Sequence, residues 1–309
     1  MADVLRAGVI GAGVFGGYHA TQLSRMPGVE LVGVYDHHPA HAEALTGKVG
    51  GRVFLTEAEL IAAVDLVTVA TPATVHASSA IAALEAGRAL YVEKPVATTP
   101  EDADRIVELA AKKGVVAACG FLERAGLAAM GLFDIPEPPR LFEAVRTSSP
   151  GHRNLDVSVV LDLMIHDLDL ALAISPSDPM AVEADGRRVV NQLFDEVEAE
   201  ADFDDGFIAR FRASRATDQR ERTMRVVYPS GEVRVDFIAH TFENTTPFAL
   251  DPNFEETPAF KDRLHASLAA FVEAVRGERP APLASVRDGA RALDLALAVE
   301  QAMAQQGLV

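Results

Sequence analysis

The sequence predicts an α/β protein in two domains: a mostly parallel sheet with its helices over residues 1–120, then an α+β domain over residues 121–309. Three observations carry this. Residues 1–36 read as an apolar strand, a glycine-rich turn, a helix and a second strand ending in an acid. Strands and helices keep alternating to about residue 120. From Arg140 to about Asn244 the hydrophobic period becomes two.

The first strand runs from Val4 to Ile10, followed by the turn Gly11-Ala12-Gly13-Val14-Phe15-Gly16, a helix through Met26 and a strand from Val29 to Tyr35 that delivers Asp36. Gly11 suits the tight turn, Gly13 lets backbone N–H groups approach a pyrophosphate, and Gly16 lets the helix pack closely on the strand. The helix N-terminus offers a diphosphate its orphan donors and the positive end of its dipole. Asp36 falls about twenty residues past the turn, the spacing of a carboxylate that hydrogen-bonds the adenosine ribose hydroxyls. It would repel a 2′-phosphate, so NAD is the expected cofactor ahead of NADP. His37 and His38 follow and temper that preference with partial positive charge.

The alternation continues in order. Pro39–Leu45 reads as a helix, Arg52–Phe54 as a short strand, Glu57–Ala63 as a helix and Asp65–Ala70 as a buried strand. Thr71-Pro72 turns the chain into a helix over Val75–Ala86, closed by Gly87 and followed by the strand Ala89–Val92. Pro100–Lys113 carries acids in its first turn and Lys112, Lys113 and Gly114 at its end, as helix dipole and C-cap preferences require. Val115–Ala118 completes the set.

Pro136, Pro138 and Pro139 then mark a loop. Val197, Ala199, Ala201 and Phe203 alternate with Glu196, Glu198, Glu200 and Asp202, and similar alternation covers residues 207–213 and 232–237. Such strands bury one face and leave the other polar, as in an antiparallel sheet packed on helices. One helix, about Val157–Ile174, interrupts them, and Phe260–Arg276 and Val286–Gln305 close the chain as amphipathic helices.

Composition narrows the function classes. The 309 residues are 49% hydrophobic, ample for two cores, and carry a net charge of −17, which argues against nucleic acid or an anionic membrane as partner. Any anionic substrate must then be met by locally placed arginines. Cys119 is the only cysteine, which rules out an intramolecular disulfide and fits a reducing compartment; it reads as a small buried residue at a strand end. With no charged leader before the first strand and no apolar segment of bilayer length, a cytoplasmic protein is expected.

Two further stretches carry reactive groups. Glu93-Lys94-Pro95 follows a strand at the carboxyl edge of the sheet, where open α/β folds bind ligands. Pro95 restricts Lys94 to an extended conformation; an ordinary loop lysine is the alternative. In Asp162-Leu163-Met164-Ile165-His166-Asp167-Leu168-Asp169, Asp162 and His166 are four apart and share a helix face. A histidine is the natural proton acceptor near neutral pH and a carboxylate one turn away can orient it. A solvated acidic face beside a core histidine is one alternative. A metal site on His166, Asp162 and Asp169 is another, but nothing supplies a clear further ligand and no metal is expected.

Gly11-x-Gly13-x-x-Gly16-x-x-His19-Ala20, Thr71-Pro72 with His76, Glu93-Lys94-Pro95, Gly120 with Glu123-Arg124, and Asp162-x-x-x-His166-Asp167 together resemble the glucose–fructose oxidoreductase/inositol dehydrogenase/rhizopine catabolism (Gfo/Idh/MocA) family. The resemblance implies a Rossmann domain, a second domain on a large open antiparallel sheet, an active site between them, and a homo-oligomer, dimer or tetramer. It implies cofactor contacts at Gly11, Gly13, Val14, Phe15, Gly16, Asp36, His37, Thr71, Pro72, His76, Glu93 and Lys94, and a reacting hydroxyl held by Lys94, Asp162 and His166. His166 would take the hydroxyl proton while hydride passes to the nicotinamide, with Lys94 stabilising the oxygen. The nucleotide-sugar branch is the nearest likeness, with the 3-hydroxyl of a UDP-N-acetylhexosamine as expected target and Glu123, Arg124, Arg146 and Arg153 as substrate ligands. In that branch Glu-Arg usually continues Phe-Asn-Pro; here Ala125-Gly126-Leu127 follows. A free sugar or inositol as substrate, glycoside cleavage with NAD used transiently, and a non-catalytic NAD-binding regulator are the alternatives.

Overall fold

The computed structural model describes residues 4–150, 157–175, 177–190 and 192–305. Its first part alternates as expected: β1 (Leu5–Ile10), α1 (Val14–Leu23), β2 (Val29–Tyr35), α2 (Pro39–Val49), β3 (Arg52–Val53), α3 (Glu57–Ala63), β4 (Leu66–Val69), α4 (Ala73–Glu85), β5 (Ala89–Val92), α5 (Pro100–Lys113) and β6 (Ala117–Cys119). The six strands pair in parallel in the order β3-β2-β1-β4-β5-β6. The order reverses between β1 and β4, which opens a crevice beyond their carboxyl ends. All four residues of β4 and of β5 are buried, the continuous apolar run of a sheet covered on both faces.

Local chemistry sets the helix limits. Thr56 caps α3 by accepting the Glu59 N–H, and Thr99 caps α5 by accepting that of Asp102. Gly114 closes α5 in the left-handed conformation, φ +64°. α1 stops at Leu23, short of Met26, and α2 continues past Leu45 to Val49 before Gly50 and Gly51, both at positive φ, end it. Residues after β6 form α6 (Glu123–Met130), a helix the sequence reading left unassigned.

The chain continues with β7 (Leu141–Thr147), a π-helical stretch over Val160–Met164, α7 (Ile165–Ile174), and the strands β8 (Pro179–Arg187), β9 (Glu196–Phe203), β10 (Ile208–Ser214), β11 (Glu221–Tyr228), β12 (Gly231–Asp236) and β13 (Thr241–Asn244). Three helices follow: α8 (Pro258–Lys261), α9 (Arg263–Val275) and α10 (Val286–Gln305). Among the described residues no helix is long and apolar enough to cross a membrane.

The chain divides into two compact units, and this division departs from a single boundary at residue 120. The first unit comprises residues 1–125 and 258–290, the second 126–257 and 291–309. The reason lies in α9. Leu264, Leu268, Phe271 and Val272 recur at helical spacing and are buried in one core with Val9, Leu23 and Tyr91 of the parallel sheet and α1. The Tyr91 hydroxyl and Ser267 Oγ are 2.9 Å apart inside that core.

In the second unit seven strands form a sheet in the order β13-β12-β11-β7-β10-β9-β8, antiparallel at every pairing except the parallel β7–β10 pair. The predicted alternation holds. Val197, Ala199, Ala201 and Phe203 are buried, while the opposite face is a lattice of cross-strand ion pairs. Arg210 sits opposite Glu200 with Nε to Oε2 at 2.5 Å, and Arg225 reaches Glu143 Oε2 at 2.8 Å. Arg225 also faces Arg234 directly, a like-charge pairing relieved because Glu232 bridges both, at 2.7 and 2.5 Å.

Candidate functional site

In the first unit, the turn between β1 and α1 is shaped by backbone crowding. At Gly11, with φ +97°, an added Cβ would lie 2.6 Å from Ala70 O; at Gly16 it would lie 1.8 Å from Gly11 O. Both positions therefore exclude any side chain. Gly13 differs, since a Cβ there meets nothing within 4 Å and would project into open space. Gly13 is also the N-cap of α1 and contributes no side-chain cap to the first-turn amides. An open cradle at a helix N-cap that carries no side chain is what a diphosphate needs, so this turn fits a dinucleotide. Val14 and Phe15 extend from it, 60% and 38% exposed.

Asp36 directly follows β2, its carboxylate held by two amides. Ala12 N–H donates to Oδ2 at 2.7 Å, His38 N–H donates to Oδ1 at 2.8 Å, and His41 Nδ1 stands 3.4 Å from Oδ1. A carboxylate offers about four lone-pair positions, so acceptor capacity remains for ribose hydroxyls. His37 is exposed and stacks edge-on against His38, with ring centroids 5.3 Å apart.

Thr71 and Pro72 follow β4 and lead into α4. His76, on α4's first turn and buried, ties this turn to the one after β5: its Nδ1 lies 2.7 Å from Pro95 O and its Nε2 2.9 Å from Thr71 O. The Lys94–Pro95 peptide bond is cis. Lys94 is half-buried, whereas Glu93 is buried with Oε1 2.8 Å from His19 Nε2. His76 and Glu93, expected at the cofactor, thus have intramolecular partners that account for their placement.

In the second unit, Asp162 lies in the π-helical stretch and His166 in the first turn of α7. The Ile165 N–H reaches Val160 O, an i→i+5 bond, where an unbroken α-helix was expected. Single π turns occur frequently at functional sites. Asp162 and His166 are both half-buried, and the adjacent Asp167 receives both arms of Arg146: Nε donates to Oδ2 at 2.9 Å and Nη2 to Oδ1 at 2.7 Å.

Three of the residues expected as substrate ligands, Glu123, Arg124 and Arg146, have partners within the fold. Arg146 from β7 is committed to Asp167 by a bidentate pair, the strongest geometry open to it. Arg124 is 8% exposed; its Nη1 donates to Leu283 O at 3.1 Å and its Nη2 lies 3.2 Å from Asp288 Oδ1. Burial alone would raise the Asp288 carboxyl, but the Arg124 charge and the Ser285 hydrogen bonds hold it below the usual aspartate range. Glu123 Oε2 lies 3.3 Å from Arg263 Nη1. Arg153 lies outside the described residues.

Two features escaped the sequence reading. His19 appeared only as part of a motif; its partner is 74 residues away, beyond any local pattern. Tyr18 is 56% exposed and packs edge-on against Phe15 at 5.9 Å, an aromatic pair beside the glycine turn signalled only by its i, i+3 spacing. A broad concavity of about 870 Å³ lies on the charged sheet face of the second unit and includes none of the residues expected to carry chemistry.

Comparison with known proteins extends this geometry. Residues 5–121 match the oxidoreductase family with an NAD-binding Rossmann fold, and residues 131–234 match the GFO/IDH/MocA C-terminal domain. The UDP-N-acetylglucosamine 3-dehydrogenase of Acidithiobacillus ferrooxidans is 32% identical over 96% of this chain and 97% of its own. Its solved structure superimposes with a TM-score of 0.90, covering 98% of this chain and 99% of that one at 31% identity. The scyllo-inositol 2-dehydrogenase (NAD(+)) of Bacillus subtilis is 26% identical over 91% of this chain and 89% of its own. GenD2 from gentamicin A biosynthesis, solved in complex with NAD, matches at 25% identity with a TM-score of 0.81 over 98% and 95% of the two chains.

Proposed function

We propose, from the premise that the chain belongs to the GFO/IDH/MocA family of NAD-binding oxidoreductases, that it is the dehydrogenase of a nucleotide sugar and oxidises the 3-hydroxyl of UDP-N-acetylglucosamine. The single observation that carries the substrate is the likeness, over nearly the whole of both chains, to a UDP-N-acetylglucosamine 3-dehydrogenase. The reaction class rests further on the presence of Lys94, Asp162 and His166 in the family's order.

Bound NAD would supply the acceptor for the hydride that leaves the carbinol carbon with the C–H electron pair. The glycine turn and Asp36 hold the diphosphate and the adenosine ribose. Val14, Phe15, His37, Thr71 and Pro72 complete the cofactor contacts. His166 takes the hydroxyl proton, Asp162 orients that imidazole, and Lys94 donates a hydrogen bond to the oxygen as charge develops on it. A 3-keto sugar forms and the O–H proton stays on the protein. The second unit serves for substrate and for assembly, its charged sheet face joining copies into a dimer or tetramer. A reducing cytoplasm suits the single, buried Cys119.

A free inositol or sugar is the second reading, favoured by one observation: Arg124 and Arg146 already have carboxylate partners, so neither is set aside as a diphosphate clamp. Reduced-nicotinamide absorbance with purified protein and NAD separates the two. A signal with UDP-N-acetylglucosamine and none with N-acetylglucosamine or myo-inositol supports the nucleotide-sugar reading; a signal with a free polyol overturns it. Tight NAD binding with no turnover on all three transfers weight to a glycoside-cleaving enzyme or a regulator.

A further inference from the structure

Glu93 has an environment that a cofactor ligand would not need. It directly follows β5, and its N–H still donates to Val69 O at 3.0 Å, so its backbone is part of the sheet. Its carboxylate turns inward. On one side Oε1 meets His19 Nε2 at 2.8 Å; His19 lies on α1 and is fully buried. On the other side lies Gly120, where an added Cβ would come within 2.8–2.9 Å of all three carboxylate atoms. Gly120 is fixed in turn, because its N–H donates to Val92 O at 2.8 Å. The carboxylate therefore occupies a fitted slot between α1 and the end of β6.

The walls of the slot are also anchored. The His19 ring packs edge-on against Tyr91, with centroids 5.3 Å apart, and the Tyr91 hydroxyl is bonded to Ser267. Burial holds the Tyr91 phenol well above its ordinary range, and the nearness of Glu93 adds to that. Enclosing a carboxylate is unfavourable unless it is paired and its placement serves a purpose. The next residue in the chain is Lys94.

We propose that His19 and Glu93 form a positioning pair that locks the start of the lysine loop to the helix facing the cofactor. The pair makes α1, whose N-terminus begins at the glycine turn, and the segment bearing Lys94 move as one body. With the Glu93 side chain held, the backbone leaves β5 in one direction and the lysine stem starts from one place. Glu93 is a positioning residue that does not touch cofactor or substrate. This inference rests on the catalytic role proposed above for Lys94.

The test compares E93A, E93Q, G120A and K94A with the wild-type protein, using UDP-N-acetylglucosamine and NAD for turnover. NADH fluorescence titration gives cofactor affinity, and thermal unfolding of the cofactor-free protein checks folding. E93A and G120A are expected to lose about tenfold or more in kcat, the effect of a misplaced catalytic group. Their NADH Kd is expected to stay within about twofold of wild type, the split that separates transition-state placement from binding. E93Q, whose amide oxygen still accepts from His19, is expected to recover most of the turnover lost in E93A. G120A removes no polar group and only displaces the carboxylate, so it carries the test if E93A does not fold. The inference is overturned if E93A and G120A turn over normally while K94A is impaired, if NADH affinity falls in step with kcat, or if E93Q is as impaired as E93A. Near-normal turnover by K94A overturns the lysine role itself, and this inference with it.

Discussion

Arg124 Nη2 stands 3.2 Å from Asp288 Oδ1, and through that contact the start of α6 is joined to the cap of α10. Asp288 does two things at once. Its Oδ2 accepts the Ser285 N–H at 2.7 Å and the Ser285 hydroxyl at 2.6 Å, while Ser285 Oγ accepts the Asp288 N–H at 3.2 Å. This is a capping box, with an arginine laid against its carboxylate.

The pair makes stability depend on pH in a defined direction. Asp288 is held below the ordinary aspartate range in the folded protein. Its contribution is therefore present above the unfolded value, about 3.9, and is lost as pH falls through the lower folded value. D288N is expected to cost about 1–2 kcal/mol at pH 7, combining a lost ion pair and a weakened cap. Denaturant unfolding at pH 7, 5 and 3.5 checks this. The gap between variant and wild type narrows at pH 3.5, and a constant gap rules out the charge contribution.

Gly13 and Gly16 are expected to separate binding from folding. Alanine at Gly13 enters open space, so G13A should unfold within a degree or two of wild type yet bind NADH at least about tenfold more weakly, a loss of about 1.4 kcal/mol. Alanine at Gly16 meets a backbone oxygen that cannot yield, so G16A should lose about 1–3 kcal/mol of stability or more. Calorimetry of the two variants with and without NADH distinguishes these outcomes; a destabilised G13A contradicts the open cradle.

Asp36 is expected to govern cofactor choice. In D36A the Ala12 and His38 amides lose their acceptor and the ribose loses its carboxylate. NADH affinity should fall about tenfold or more while NADPH, no longer facing a negative charge, falls less. Parallel fluorescence titrations with both dinucleotides decide this, and equal losses contradict the ribose assignment.

Tyr91 and Ser267 are expected to be coupled. Y91F leaves the buried Ser267 hydroxyl without this partner and should cost about 1–2 kcal/mol. Adding S267A should cost less than the sum of the two single changes, because both remove the same bond. Additive losses in a double-mutant unfolding cycle show that the two groups act independently.

Much of the first unit was legible because its signals are local. The ends of α5 follow from Pro100, Lys112, Lys113 and Gly114, and the turn from the spacing of Gly11, Gly13 and Gly16. The alternation of Val197 to Phe203 likewise located a half-buried strand. What escaped was set by contacts distant in sequence. Nothing near Leu268 or Phe271 says that α9 is to be buried against the parallel sheet, because amphipathic spacing identifies an apolar face and leaves its destination open. Arg124 and Arg146 looked available for an anion because their partners, Asp288 and Asp167, are named only by the fold. The π turn at Asp162 has no sequence signature in a run that reads as helix throughout.

The placement of α9 has a consequence for the order in which the protein comes into being. The parallel sheet is encoded first, yet one side of its core is closed by residues more than a hundred positions downstream. A nascent chain leaving the ribosome must carry Leu23 and Tyr91 without Phe271 and Leu268 while the intervening strands of the second unit are still being made. Loop closure across that span comes late and slowly. The nucleotide-binding half is then complete only after most of the other half has been synthesised, so a transcript cut short after residue 257 yields a sheet with an open apolar flank, a substrate for chaperones and proteases.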